Sequence, residues 1–347
     1  MRENTFRGCY TALITPMLNN YEVDFEGLKA LVDFQVSQGA RGILAVGTTG
    51  ESPTLTWSEH DLVIKKVHEF NHGESLTIAG TGSNCLRESL ESTRHAYDDG
   101  IRAALLVDPY YNGPSSLEIR REYVAPIAER FPEVQVIPYV IPGRTGTQLL
   151  PQDLAILHSQ YPNVSVVKEA TGDTANMKLT RKLCGENFDI LSGDDDKTFS
   201  MMNDNEIKAS GVISVTSNVA PAAVQKMTSL ILDGRLDEAK KTMDALGPLF
   251  QIVTVKTVEQ TKFGEVPVKA RNPLPYKTLM NILGMPSGTL RQPLGKMTRK
   301  GLQTVLDAAR KVYENNPEIL QPVEDSFGVN LSERLYEERF WKGLAYD

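Results

Sequence analysis

Val164-Ser-Val-Val-Lys168-Glu-Ala-Thr-Gly172 is a short, largely β-branched run that ends in a charge and a glycine turn, and runs of this kind recur along the first two thirds of the chain. They stand at 10–15, 42–46, 76–79, 103–107, 134–140, 164–167, 188–191 and 212–215. Between them the apolar residues follow helical spacing, as in Leu28, Leu31, Val32, Phe34 and Val36, then Leu62, Val63, Val67 and Phe70. Boundaries carry their own punctuation. Thr56-Trp-Ser-Glu59 has the spacing of a capping box, and Gly39 and Gly100 follow their helices where a left-handed residue is wanted. Eight strands alternating with helices predict an α/β fold in which parallel strands close as a (β/α)8 TIM barrel. An open doubly wound sheet is the alternative, but no G-x-G-x-x-G or G-x-x-x-x-G-K-[ST] loop is present.

Beyond about Gly234 helical patterns take over at 236–255, 275–283 and 299–313, which predicts a helical appendage on the barrel. The expected division is a barrel over 1–234, a C-terminal helical domain over 235–315 and an extension over 316–347. The segment 257–275 is polar, holds Gly264, Pro267, Pro273 and Pro275, and reads as a long loop. Residues 335–341 read as an amphipathic helix docked on its own chain.

Of 347 residues 41% are hydrophobic and 23% charged, which excludes disorder. Thirty-seven Lys and Arg against 44 Asp and Glu leave a net charge of −7, so nucleic acid and anionic membrane are poor partners. Cys9, Cys85 and Cys184 are widely spaced and odd in number, which argues against a disulfide framework and for a reducing compartment. The first seventeen residues, with Arg2 and Arg7 ahead of a short apolar run, superficially resemble a secretory leader. The run carries threonines and no cleavage site, so it reads as a strand. No apolar stretch reaches the ~20 residues a bilayer requires, and a cytoplasmic protein is expected.

In a barrel, chemistry gathers where strands end. Those ends carry Gly47-Thr-Thr-Gly-Glu-Ser52, Gly80-Thr-Gly-Ser-Asn84, Pro109-Tyr-Tyr-Asn112, Tyr139 with Pro142-Gly-Arg-Thr-Gly146, Lys168-Glu-Ala-Thr-Gly172 and Ser192-Gly-Asp-Asp195. Lys168 is the most informative of these. An ammonium at the end of an apolar strand must be desolvated, which lowers its pKa, and the free amine is a nucleophile for a carbonyl. Escape of its head to solvent, or pairing with Glu169, is the structural alternative. Tyr139 is placed to pass protons to the carbinolamine, with a hydroxyl of Thr48 or Thr49 and Tyr111 as a relay. Arg144, between Gly143 and Gly146, offers a fork to a carboxylate. His68 and His72 lack a third zinc ligand, and 194–196 reads as a solvated acidic rim rather than a magnesium site.

Taken in order, Gly47-Thr-Thr-Gly-Glu51, Pro109-Tyr-Tyr-Asn112, Tyr139 with Pro-Gly-Arg-Thr-Gly146, Val167-Lys-Glu-Ala-Thr-Gly172, Leu191-Ser-Gly-Asp-Asp195 and Gly211-Val-Ile-Ser-Val215 resemble the dihydrodipicolinate synthase family of pyruvate-dependent Schiff-base lyases, over roughly residues 5–245. The resemblance implies condensation of pyruvate with aspartate semialdehyde in lysine biosynthesis, in a homotetramer or dimer, without metal or organic cofactor. It implies Lys168 as Schiff-base lysine, Tyr139 as proton-transfer residue and Thr48 as its relay partner. Tyr111 would be lent across a subunit interface, Arg144 would bind the aldehyde carboxylate, and Thr49 with the backbones of Gly193 and Ile213 would line the pyruvate pocket. Trp57, His60, Asn84, Glu88 and Tyr110 match an interface site for a lysine effector. Two departures stand out. Val140 replaces the usual Asn and removes a polar contact near the site, and the loop 257–275 and the tail look longer than in typical members. A 2-keto sugar acid aldolase and a non-catalytic ligand-binding paralogue are the other readings.

Overall fold

In a computed structural model, which describes residues 6–346, eight parallel strands close into a barrel in chain order. They are β1 (Gly8–Ala12), β2 (Gly42–Ala45), β3 (Leu76–Gly80), β4 (Ala103–Val107), β5 (Gln135–Val140), β6 (Val166–Glu169), β7 (Asp189–Ser192) and β8 (Gly211–Ser214). β1 pairs with β8 and shuts the ring, with Tyr10 opposite Ile213. Arg2, part of the N-terminal stretch read as a strand, lies outside the described residues. None of the helices among the described residues is long and apolar enough to cross a membrane.

The alternation of side chains along each strand sorts the apolar residues into two layers. Tyr10, Leu44, Ile78, Leu105, Ile137, Leu191 and Ile213 fill the barrel interior. Their neighbours Cys9, Ile43, Ala79, Ala104, Val136, Ile190 and Val212 pack outward against the helices. This parity puts Tyr139 inside and Val140 outside, in the layer between sheet and helices. The substitution at 140 therefore alters the outer packing and removes no contact from the cavity, contrary to the sequence reading.

The helix Trp57–Asn71 begins with the expected capping box, Thr56 and Glu59 each bonded to the other's backbone. Gly39 and Gly100 take φ of +79° and +96° after their helices. C-terminal helices at Leu236–Gln251, Leu274–Leu283 and Arg299–Asn315 share one contiguous core with the outer barrel layer.

The segment expected to be a long loop is instead an antiparallel hairpin, β9 (Thr254–Thr261) and β10 (Gly264–Arg271). Each strand of a two-stranded ribbon has a free edge, where Pro267 is tolerated, and Gly264 at φ +110° closes the turn. The tail docks on its own chain through a shorter helix than expected, Leu331–Tyr336, followed by a 3-10 turn at Glu338–Phe340. Leu331 and Leu335 are buried, and Arg334 donates to the carbonyls of Ile282 (2.7 Å) and Asn281 (2.9 Å).

Candidate active site

The register of β5 against β6 sets Tyr139 beside Lys168. Both face inward, and the Lys168 Nζ lies 4.2 Å from the centre of the Tyr139 ring. Only 5% of Lys168 is exposed. Burial lowers its pKa to about 8, against the opposing pull of Asp194 and Asp195. The shift corresponds to ~3 kcal/mol against the charged form, and leaves about a tenth of the amine free at neutral pH. Neither structural alternative holds. The head stays inside, and Glu169 points outward to accept from Thr171 N (2.7 Å) and Asn176 Nδ2 (2.9 Å).

Close backbone approach completes this floor. A Cβ on Gly193 would stand 2.7 Å from Ala170 Cβ and 3.3 Å from Lys168 Cε, so only glycine leaves the amine its room. Gly193 N is bonded to Glu169 O at 2.7 Å. Gly193, Thr48, Thr49, Tyr139, Arg144, Ala170, Asp194 and Val215 line one cavity of about 220 Å³ with Lys168. The Ile213 side chain belongs to the barrel's interior layer, and Val215, two residues on, lines the cavity.

Burial pushes the Tyr139 pKa up to about 12, against the opposing influence of the Arg144 charge and of Thr48, which lines the same cavity. Tyr139 and Thr48 also border a second, mainly apolar cavity with Ser52, Gly80, Leu105 and Tyr110. The pair thus separates the amine from a neighbouring space. Tyr111 takes no part within this chain. It follows β4 at φ +89° with 94% of its surface exposed.

Arg144 sits at the open rim, and its Nη2 donates to Asn272 O at 3.0 Å. Asn272 Nδ2 in turn donates to Thr49 Oγ1 at 2.9 Å, while its buried Oδ1 has no partner. Asn272, Thr254, Lys269 and Arg271 line the cavity, and the sequence reading missed all four. The alternation of Val266, Val268 and Ala270 was the available signal for β10, which carries Lys269 and Arg271 and leads into Asn272.

Asp195 corrects the expectation of a solvated rim. It is buried, and its Oδ2 accepts from the backbone of Val215 and Thr216, each at 3.0 Å. Asp194 borders the cavity with a pKa raised to about 6 by burial and by Asp196 and Asp195, while Lys168 pulls it down. Asp196 alone of the three is exposed. His68 is bonded to Thr77 Oγ1 (3.1 Å) and His72 ends the helix in a left-handed conformation.

The residues matched to an effector site fall into two neighbouring groups. Glu88 accepts from Ser83 Oγ, and Asn84 and Tyr110 share a surface pocket close by. Trp57 packs on the ring of His60, whose Nε2 lies 3.1 Å from Ser52 Oγ. Ser52 and Tyr110 both border the second cavity.

Residues 5–312 match the model of the dihydrodipicolinate synthetase family. The chain is 39% identical over 291 residues to the 4-hydroxy-tetrahydrodipicolinate synthase of Methanococcus maripaludis, covering 84% of this chain and 93% of that protein. The crystal structure of dihydrodipicolinate synthase from Aquifex aeolicus superposes with a TM-score of 0.81 at 35% identity, over 91% of this chain and all of the other. That of the enzyme from Cyanidioschyzon merolae with lysine bound gives 0.81 at 31% identity, over 89% and 99%.

Proposed function

The chain belongs to the dihydrodipicolinate synthetase family and is a lyase that condenses pyruvate with L-aspartate 4-semialdehyde to 4-hydroxy-tetrahydrodipicolinate in lysine biosynthesis, and we propose that Lys168 is its Schiff-base residue. The buried Lys168 amine against the Tyr139 ring carries this assignment. Nζ attacks the keto carbon of pyruvate, and loss of water from the carbinolamine gives the imine. The Tyr139 hydroxyl delivers and removes the protons of these steps, with Thr48 beside it at the cavity wall as the relay. Loss of a methyl proton yields the enamine, whose carbon attacks the aldehyde. The amine of the aldehyde substrate then displaces Nζ from the imine carbon, which closes the ring and frees Lys168. Electron flow into the imine nitrogen makes a metal or organic cofactor unnecessary.

Thr49 and the Gly193 backbone border the place for pyruvate, and Arg144 faces the carboxylate of the aldehyde. The exposure of Tyr111 suits a residue lent to a second subunit, and on that ground we assign a homo-oligomer, dimer or tetramer. Three free cysteines fit a reducing cytoplasm. Glu88, Asn84 and Tyr110, with Trp57 and His60, are proposed to hold a free lysine effector. The lysine bound to the Cyanidioschyzon merolae relative supports that assignment.

Borohydride reduction in the presence of pyruvate tests the central assignment. The expected result is one reduced pyruvyl group on the Lys168 peptide, and its absence overturns the assignment. An adduct without turnover of aspartate semialdehyde would point to a sugar-acid aldolase instead. Arg144→Ala is expected to weaken use of the aldehyde while leaving adduct formation, and equal loss of both would refute its role.

A further inference from the structure

The base of the β9–β10 hairpin has two faces. Val255 and Ala270, opposite each other in register, are buried against the C-terminal helices. Period-two alternation then sends Thr254, Lys269 and Arg271 to the other side, where they border the Lys168 cavity. Burial of two apolar side chains thus obliges two cations to face the mouth. Lys256 stands directly opposite Lys269, a like-charge pair that disfavours the ribbon.

Arg144 and Arg271 are held side by side by reciprocal bonds to each other's segments. Arg144 Nη2 donates to Asn272 O, and Arg271 Nη1 donates to Gly143 O at 3.2 Å. Each guanidinium has five N–H donors, so several remain for a ligand. Among the described residues, Arg144, Lys256, Lys269 and Arg271 have no ion-pair partner, and Asp194 is the acidic group at this cavity. The mutual repulsion is felt: the Lys269 pKa is lowered, first by Arg271 and then by burial, Lys256 and Arg144. One carboxylate on the aldehyde requires one guanidinium, and this mouth presents three cations on its walls with a fourth beside them. A crowd of unpaired cations around a concave space is complementary to an anion.

We propose that the hairpin is an anion-capturing lip of the Lys168 cavity, in which Lys269 and Arg271 act with Arg144 to draw in and seat the carboxylate of the aldehyde substrate. They select against uncharged aldehydes and make the cavity a binding site for dicarboxylates of the product's span. The inference rests on the assignment of the condensation to this cavity.

The test combines three measurements on the full chain and on K269Q, R271Q and K269Q/R271Q. In wild type the KM for aspartate semialdehyde is expected to rise with ionic strength. In the double variant it should be about tenfold higher at low salt and nearly flat with salt, with kcat little changed. Calorimetric titration with glutarate, a five-carbon dicarboxylate, should show binding about tenfold weaker in the double variant. R271K and K269R keep the charge and should retain most of the affinity, which a merely structural role for the hairpin would not predict. Pyruvate and borohydride give the third reading. If the adduct forms on Lys168 but KM, its salt dependence and glutarate binding are unchanged in the double variant, the lip is refuted. If no adduct forms while glutarate binding still depends on Lys269 and Arg271, the lip stands and the Lys168 assignment falls. Absence of glutarate binding in wild type, with an unaltered KM in the variants, also refutes the lip.

Discussion

Replacing Lys168 by methionine should abolish activity and yet stabilise the protein at neutral pH. The side chain is 5% exposed, and its ammonium titrates near 8 in the folded chain against 10.5 for the free group. Because the folded pKa is the lower one, the unfolded chain binds more protons between these values, and stability rises with pH across that window. Relative to an uncharged side chain of similar volume, the lysine destabilises the native state by ~3 kcal/mol at pH 7. The penalty falls to ~1.5 kcal/mol at pH 9.5 and fades above pH 10.5. Urea unfolding of wild type and Lys168→Met at pH 7 and pH 9.5 measures both gaps. Methionine changes the packing equally at both pH values, so the difference between the gaps isolates the charge. A gap that does not shrink with pH, or a methionine variant less stable at pH 7 than at pH 9.5 relative to wild type, would show that the ammonium is not desolvated. The same titration predicts that kcat/KM climbs through pH 8 as the amine loses its proton.

Tyr139→Phe deletes the hydroxyl facing Thr48 and should lower kcat by roughly 10²- to 10⁴-fold while the chain remains folded, as read by steady-state kinetics and circular dichroism. Lys277 and Glu51 form a fully buried pair at 2.6 Å, and Lys277 also donates to Thr15 O and Thr289 O. Lys277→Met strands the Glu51 carboxylate and should cost about 3–5 kcal/mol in denaturant unfolding, part of which Glu51→Gln in the same chain restores. Millimolar lysine should raise the thermal midpoint and inhibit turnover, and Glu88→Ala should remove both effects; no response in wild type would refute the effector site.

The barrel was legible because its information is local. The strands announce themselves by β-branched and apolar runs and the helices by 3.6-residue spacing, in one case with the capping box of Thr56 and Glu59. Strand ends then indicate where Lys168, Tyr139, Thr48 and Arg144 must converge, since a closed parallel barrel gathers all its C-terminal ends at one mouth. Glu51 shows the limit of that rule: it lies at a strand end yet braces Lys277 of a distant helix, a pairing across 226 positions that no local pattern encodes.

The same limit hid Asn272, Lys269 and Arg271. The strand that carries Lys269 and Arg271 and ends just before Asn272 is interrupted by Pro267 and rich in polar residues, so its local signal resembles a loop. Only pairing with β9 and the burial of Val255 and Ala270 turn it into a strand with a defined cavity face. Likewise the register of β5 on β6, and not the spacing of Tyr139 and Lys168 along the chain, puts the amine over the ring. Residue type and period thus determined which elements form and which groups carry chemistry. Contacts between distant segments decided which of those groups meet, because desolvation and hydrogen bonding depend on neighbours that only folding assembles.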